Sequence, residues 1–319
     1  MYRRAAVLAA AVLALLLIPD IALAWTPGTH IFLGESILAN LAQLPSWVAD
    51  LLRSYPYDFL YGSIAADTSI AKKYAPIGRH CHAWPVGQEI YDLADGESMR
   101  AFGLGYLSHL AADVVAHNFF VPRQLVLTAD AIGLGHSYWE SRFETHLGEH
   151  YARTAMDVIR MDHGRADAHL DRILSPTIFS VKTSRRLFRG MVGVTETQSW
   201  QRAFRVVAAN SRWDLTDGAV ERNMAVSFHL IMEMLAEQNG TARRLDPSGE
   251  TALRQARQLR RETGGTLVSR DLGRLTDVAD QHFALPSYAL SFWESSSAQR
   301  PWRKDGPGGG RKGRRRAKA

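Results

Sequence analysis

Apolar residues recur every three to four positions over most of this chain, the spacing of one face of an α-helix. Sustained alternation of period two, the mark of a half-buried strand, is not found. The pattern predicts helices over 30–44, 45–53, 57–66, 86–93 and 98–120, the last stopped by Pro122. Another helix is predicted from Gly135 to beyond Tyr151. Amphipathic helices follow over 166–175, 184–192, 196–210, 215–238 and 248–262. The stretch 72–85, broken by Pro76, Gly78 and Pro85, reads as loop. No internal repeat interrupts this order, and the expected fold class is all-α.

One predicted helix differs from the rest. The segment 98–120 is apolar nearly all round and should be buried, yet it carries His109, Asp113 and His117 at steps of four. Residues four apart stack on one helix face, so the three groups project together. Unpaired buried polar groups cost about 1–3 kcal/mol each, and buried charges cost more. Taken alone, the helix could carry hydrogen-bonded core residues or axial haem ligands. The rest of the chain shifts the reading towards metal. His136 and Glu140 form a second pair at a step of four. Asp67 ends an apolar segment at a turn, His80-Cys81-His82 sits in the Pro- and Gly-rich loop, and His30 lies near the start of the first helix. Imidazole nitrogen and carboxylate oxygen are what zinc takes at about 2.0–2.2 Å, and the donors suffice for three ions.

The N-terminus changes the count. Arg3 and Arg4, the apolar run 5–18 and Ala22-Leu23-Ala24 read as a signal peptide over 1–24, with export to the periplasm or outside the cell expected. Cleavage after Ala24 makes Trp25 the first residue. Cys81 is the only cysteine, so no intramolecular disulfide forms and stability must come from core burial, metal, or both. With 319 residues, 46% of them hydrophobic, the chain can supply a sizeable core. The formal charge of +6 misleads. Residues 300–319 hold nine Lys or Arg against one Asp, whereas 25–299 sum to −3. A basic nucleic-acid surface on the body is therefore not indicated by composition. The expected division is 1–24 signal peptide, 25–160 metal-binding core, 161–299 helical extension packed on the core, and 300–319 basic disordered tail. That tail could contact anionic lipid or another polyanion.

These residues together resemble the bacterial zinc-dependent phospholipase C family, whose fold is shared with the fungal zinc-dependent single-strand nucleases. The resemblance covers about 25–150. It implies a multi-helix bundle around a polynuclear zinc site with up to three ions. In this family the mature N-terminal tryptophan binds zinc through its own amino nitrogen and carbonyl oxygen. By the resemblance, Trp25 and His30 hold one zinc, joined by a bridging Asp113. Asp67, a loop histidine, His109 and Asp113 hold a second, and His117, His136 and Glu140 a third. The loop histidine is His82, favoured because Trp84 follows it, or His80. Cys81, between them in extended backbone, is expected to face away. One departure is visible: in the well-known phospholipases the third-site histidine lies farther from the bridging aspartate than the four residues separating His117 from Asp113 here.

The resemblance implies hydrolysis of a phosphodiester by a zinc-activated water, with Asp67 orienting or deprotonating it. The expected substrate is glycerophospholipid at a membrane surface, cut to diacylglycerol and a phosphorylated headgroup. A nuclease or nucleotidase on the same fold is the enzyme alternative. Spacing from Trp25 to His30 resembles the nucleases, whereas Glu140 as final ligand resembles the phospholipases. A non-catalytic, zinc-stabilised envelope protein is the third reading. Trp84, Phe119, Phe120, Tyr138 and Trp139 are read first as packing and second as a lipid cleft. His146, His150, His163, His169, His229 and His282 are expected to be ordinary surface or core histidines, and Glu144 to lie near the ligands without being one.

Overall fold

The computed structural model describes residues 25–70, 74–76, 78–130, 135–195, 204, 211, 213–237, 240–266 and 271–303. The predicted signal peptide, most of the predicted helix over 196–210 and the tail from 304 onward lie outside the described residues.

Among the described residues the secondary structure is helical throughout. In chain order the helices are α1 Pro27–Leu38, α2 Ser46–Ser54, α3 Pro56–Ala65, α4 Trp84–Asp92, α5 Glu97–Val115, α6 Val121–Leu127, α7 His136–Glu144 and α8 Glu149–Arg160. They continue with α9 Gly164–Ile173, α10 Val181–Thr195, α11 Asp217–Glu237, α12 Glu250–Thr263, α13 Leu272–Phe283 and α14 Ser291–Glu294. Short 3₁₀ turns cover Leu41–Gln43, Ala66–Thr68 and Thr241–Arg244. No described helix is long and apolar enough to cross a membrane.

Helix α5 is the axle. It packs against α3, α4 and α11, and almost every residue from Met99 to Val115 is buried. The crossing with α3 is unusually close. A Cβ on Gly62 would lie 3.0 Å from the Gly105 Cα, and one on Gly105 equally near the Gly62 Cα. Two glycines thus let the helix backbones touch, which delivers the α3 main chain to the face of α5 that carries His109.

Two predicted boundaries differ from the structure, and one helix was not predicted. Pro122 does not stop the long helix. A π turn over Ala116–Phe120 follows α5, closed by the Val121 N–H on the Ala116 carbonyl, and α6 continues through the proline. The extra residue of a π turn shifts the hydrogen-bond ladder, and Asn118 Nδ2 donates to the Val114 carbonyl at 2.9 Å. The helix predicted from Gly135 past Tyr151 is two, parted at Gly148, whose φ of 90° is a left-handed value suited to glycine. Helix α13, missed by the pattern, is capped by Asp271, which accepts from the Gly273 and Arg274 N–H groups.

The chain end also departs from expectation, because the first residues assigned to the tail are packed. Glu221 of α11 accepts from the indoles of Trp293 (2.9 Å) and Trp302 (2.7 Å) and from the guanidinium groups of Arg300 and Arg303. Trp302 lies against Phe32 of α1, ring centres 5.5 Å apart, and the Ser297 N–H donates to Asn40 Oδ1 at 2.8 Å. The last described segment therefore clasps the first helix.

Candidate metal centre

Four elements converge near the crossing of α3 and α5. His109 and Asp113 project from α5, His30 comes from α1, and Asp67 sits in the 3₁₀ turn that ends α3. His82 enters from the loop before α4. All five side chains are at most 1% exposed. The donor atoms of His30, His109 and Asp113 lie within 4.8 Å of one another, as do those of Asp67, His82 and His109. His117 of the π turn groups in the same way with His136 and Glu140 of α7. The rings of His82 and His117 are 6.1 Å apart, so the third group adjoins the first two.

The geometry suits cations. Donors about 2.0–2.1 Å from a tetrahedral ion lie about 3.3–3.4 Å from one another. Here His30 Nε2 is 3.3 Å from Asp113 Oδ1, and His82 Nε2 is 3.4 Å from Asp67 Oδ1. His82 and His109 place their Nε2 atoms 2.9 and 3.0 Å from Asp113 Oδ2, and 3.0 Å from each other. His136 Nε2 and Glu140 Oε1 are 2.6 Å apart.

Tautomers sharpen the argument. His109 Nδ1 is 2.8 Å from the Ser63 carbonyl, and His117 Nδ1 is 2.6 Å from the Pro247 carbonyl. A carbonyl only accepts, so each Nδ1 carries the hydrogen, and in the neutral ring each Nε2 holds a lone pair. The His109 lone pair then faces a carboxylate oxygen and another imidazole nitrogen at 3.0 Å. Electron-rich atoms so close repel unless a cation lies between them. A backbone carbonyl on the remote nitrogen is also the usual way a metal-ligating histidine is held. Neither Asp113 oxygen makes a hydrogen bond of good geometry despite its short contacts, nor does His30 Nε2. The donor set therefore fits zinc.

Electrostatics favour the ligating forms. Burial, with His109 nearby, lowers the His30 pKa to about 4, so the ring is neutral at pH 7.

Nearly every side chain singled out from sequence reaches the centre, including His117, one turn after Asp113. His80 does not. It is half-exposed, and its Nδ1 accepts the His82 N–H at 3.0 Å while the His82 ring turns inward. Cys81 does not face away as expected: its sulfur is 3.2 Å from His82 Nδ1, on the far side of that ring. Trp25 is fully buried, its indole donating to the Ala112 carbonyl, one residue before Asp113, at 3.1 Å. The Glu144 carboxylate lies against Gly28 at the foot of α1. Of the histidines set aside, His146 contacts Asp217, while His163 and His169 bond to the carbonyls of Val158 and Ile90. Tyr138 and Trp139 are buried in the core.

Sequence reasoning missed the second layer. The loop 245–249, between the 3₁₀ turn and α12, offers three carbonyls to side chains in and around the centre. Leu245 accepts from the Trp84 indole at 2.9 Å, Asp246 from Asn118 at 2.8 Å, and Pro247 from His117. The Asp-Pro-Ser-Gly run at 246–249 is a turn signal, but nothing in it names the residues it would meet.

Comparison with known proteins accords with this geometry. The sequence model described as zinc dependent phospholipase C matches residues 29–182. That span holds every side-chain donor discussed above and runs beyond the boundary expected at 160. Searches of curated proteins and of solved structures gave no significant match. Residues 29–182 thus match the zinc-dependent phospholipase C family, and the helical fold and the buried histidine and aspartate clusters support that family.

Proposed function

We propose that the protein is an exported phosphodiesterase that cuts glycerophospholipid to diacylglycerol and a phosphorylated headgroup. The observation that carries this reading is the convergence of imidazole and carboxylate donors into three adjoining groups, with remote nitrogens of His109 and His117 fixed by carbonyls. Zinc held there would polarise a water and the phosphate oxygens and offset the charge that builds on them. His30, Asp113 and the Trp25 terminal amine would hold one ion. Asp67, His82, His109 and Asp113 would hold a second, and His117, His136 and Glu140 a third. The free amine requires cleavage after Ala24, so export would complete the site.

Asp67, fully buried at the end of α3, would orient the attacking water and take its proton. The water oxygen bonds to phosphorus, the bond from phosphorus to the glycerol oxygen breaks, and the proton leaves with diacylglycerol. No serine or cysteine nucleophile enters this scheme.

The test is to express the protein with its signal peptide and establish the N-terminal residue by mass spectrometry. Phosphodiester cleavage is then measured on phosphatidylcholine vesicles and on single-stranded DNA, with and without chelator. Chelator-sensitive phosphocholine release from a protein beginning at Trp25 is expected. Cleavage of DNA alone would move the activity to a nuclease. Inertness towards both by zinc-loaded protein would leave the metal a structural role.

A further inference from the structure

A cavity of about 510 Å³ lies at the seam between the π turn, α6 and the helices beyond residue 182. It is separate from the donor groups described above, and its size is that of a small-ligand site. One wall is apolar: Phe119 and Phe120 from the π turn, Val226 of α11, Phe283 of α13, then Leu285 and Tyr288. The polar groups are few. Arg123 is engaged by Asp280, with Nε 2.6 Å from one carboxylate oxygen. Arg222 is exposed and makes no hydrogen bond or ion pair among the described residues. With Asp280 cancelling Arg123, Arg222 leaves the cavity with one net positive charge.

Asn223 adds an independent observation. It is 9% exposed, and its Nδ2 donates to the Ala219 carbonyl at 2.8 Å. Its Oδ1 is buried without a hydrogen-bond partner among the described residues. A buried acceptor beside an unpaired cation asks for a ligand that brings both a donor and an anion. The long apolar wall asks for an alkyl chain.

We propose that this cavity binds a single-chain lysophospholipid ending in a phosphomonoester. The acyl chain lies along the wall from Phe119 to Tyr288, the phosphate meets Arg222, and the glycerol hydroxyl donates to Asn223 Oδ1. A fatty acid would supply chain and charge but leave Asn223 unmet, and two chains exceed the space.

The test is calorimetric titration of the zinc-loaded protein with decanoyl lysophosphatidate below its micelle concentration. Saturating inorganic phosphate is present throughout to fill the metal centre. One equivalent should bind. Arg222→Gln should weaken binding at least tenfold, as should Asn223→Leu, and Val226→Trp should abolish it by filling the cavity. Decanoate should bind at least tenfold more weakly than the lysophosphatidate. Hydrolysis of a soluble phosphodiester should be unchanged in Arg222→Gln, a substitution at an exposed position that leaves the core intact. Absence of binding in the presence of phosphate would overturn the proposal, as would unaltered affinity in Arg222→Gln or equal affinity for decanoate. Because the readout is binding, this result is independent of whether the metal centre cleaves phospholipid.

Discussion

Gly249 is the position where a single methyl group should report on the metal centre. Its φ is 58°, a left-handed value that costs an alanine about 1–2 kcal/mol. A Cβ there would also stand 2.5 Å from the His117 carbonyl oxygen and 2.7 Å from its carbonyl carbon, and nearer still to the His117 Cβ. Relief requires the loop or the π turn to move, and overpacking of this kind costs about 1–3 kcal/mol. Gly249→Ala should therefore destabilise by about 2–5 kcal/mol. It should also displace His117 from His136 and Glu140, so that zinc content falls by about one equivalent. Gly265→Ala supplies the control. Its φ is 73° but nothing lies within 4 Å of the added methyl, so only the backbone part, about 1–2 kcal/mol, should appear. Urea unfolding of both variants, with metal analysis of the folded proteins, separates the two contributions. Equal stability of the two variants, with unchanged zinc in Gly249→Ala, would refute the claim that this loop positions His117.

Other predictions concern separate parts of the molecule. His82→Ala should lose zinc and activity while His80→Ala keeps both within about twofold, since only the His82 ring faces Asp67 and Asp113; metal content and hydrolysis rates decide. Stripping zinc should cost about 4 kcal/mol at a thousandfold excess of metal over its Kd, seen as a thermal midpoint lower by several degrees. Glu221→Ala removes the acceptor shared by two indoles and two guanidinium groups and should destabilise by about 2–4 kcal/mol in urea, without changing zinc content. His163, beside Asp58, Asp167 and Arg189, has its pKa lowered from 6.5, chiefly by burial. The unfolded chain therefore takes up a proton that the folded state resists, and stability falls as pH drops through 6.5 and below. His163→Phe should keep the stacking on Tyr61 and flatten that part of the acid limb; an unchanged slope in paired urea titrations would count against it.

The sequence announced the centre more clearly than its supports. Steps of four from His109 to Asp113 and His117, and from His136 to Glu140, survive folding because helix geometry carries sequence spacing directly into space. The same logic located α2 to α5 within a few residues, whereas the first helix ends at Leu38 and not at 44. It failed at Pro122, where a π turn absorbs the proline, and at Gly148, where a left-handed residue divides one apolar run into two helices. Choosing between His80 and His82 needed the orientation of a loop, which periodicity does not encode. The carbonyls of Ser63 and Pro247 were illegible for a different reason. Every residue has a carbonyl, so only the tertiary fold shows which of them meets an imidazole.

The clasp at Glu221 has a consequence for the order of events in synthesis. Ser297 and Asn40 are hydrogen-bonded across 257 residues of chain, and Trp302 packs on Phe32. A polypeptide leaves the ribosome N-terminus first, so the helix bearing His30 emerges long before the segment that fastens it. Loop-closure entropy over that distance is met late, and folding dominated by such remote contacts is slow. A nascent or truncated chain ending before Ser297 would have α1 packed on α3 and α8 but without this clasp. The fastening of the first helix is thus made 257 residues after the asparagine it grips.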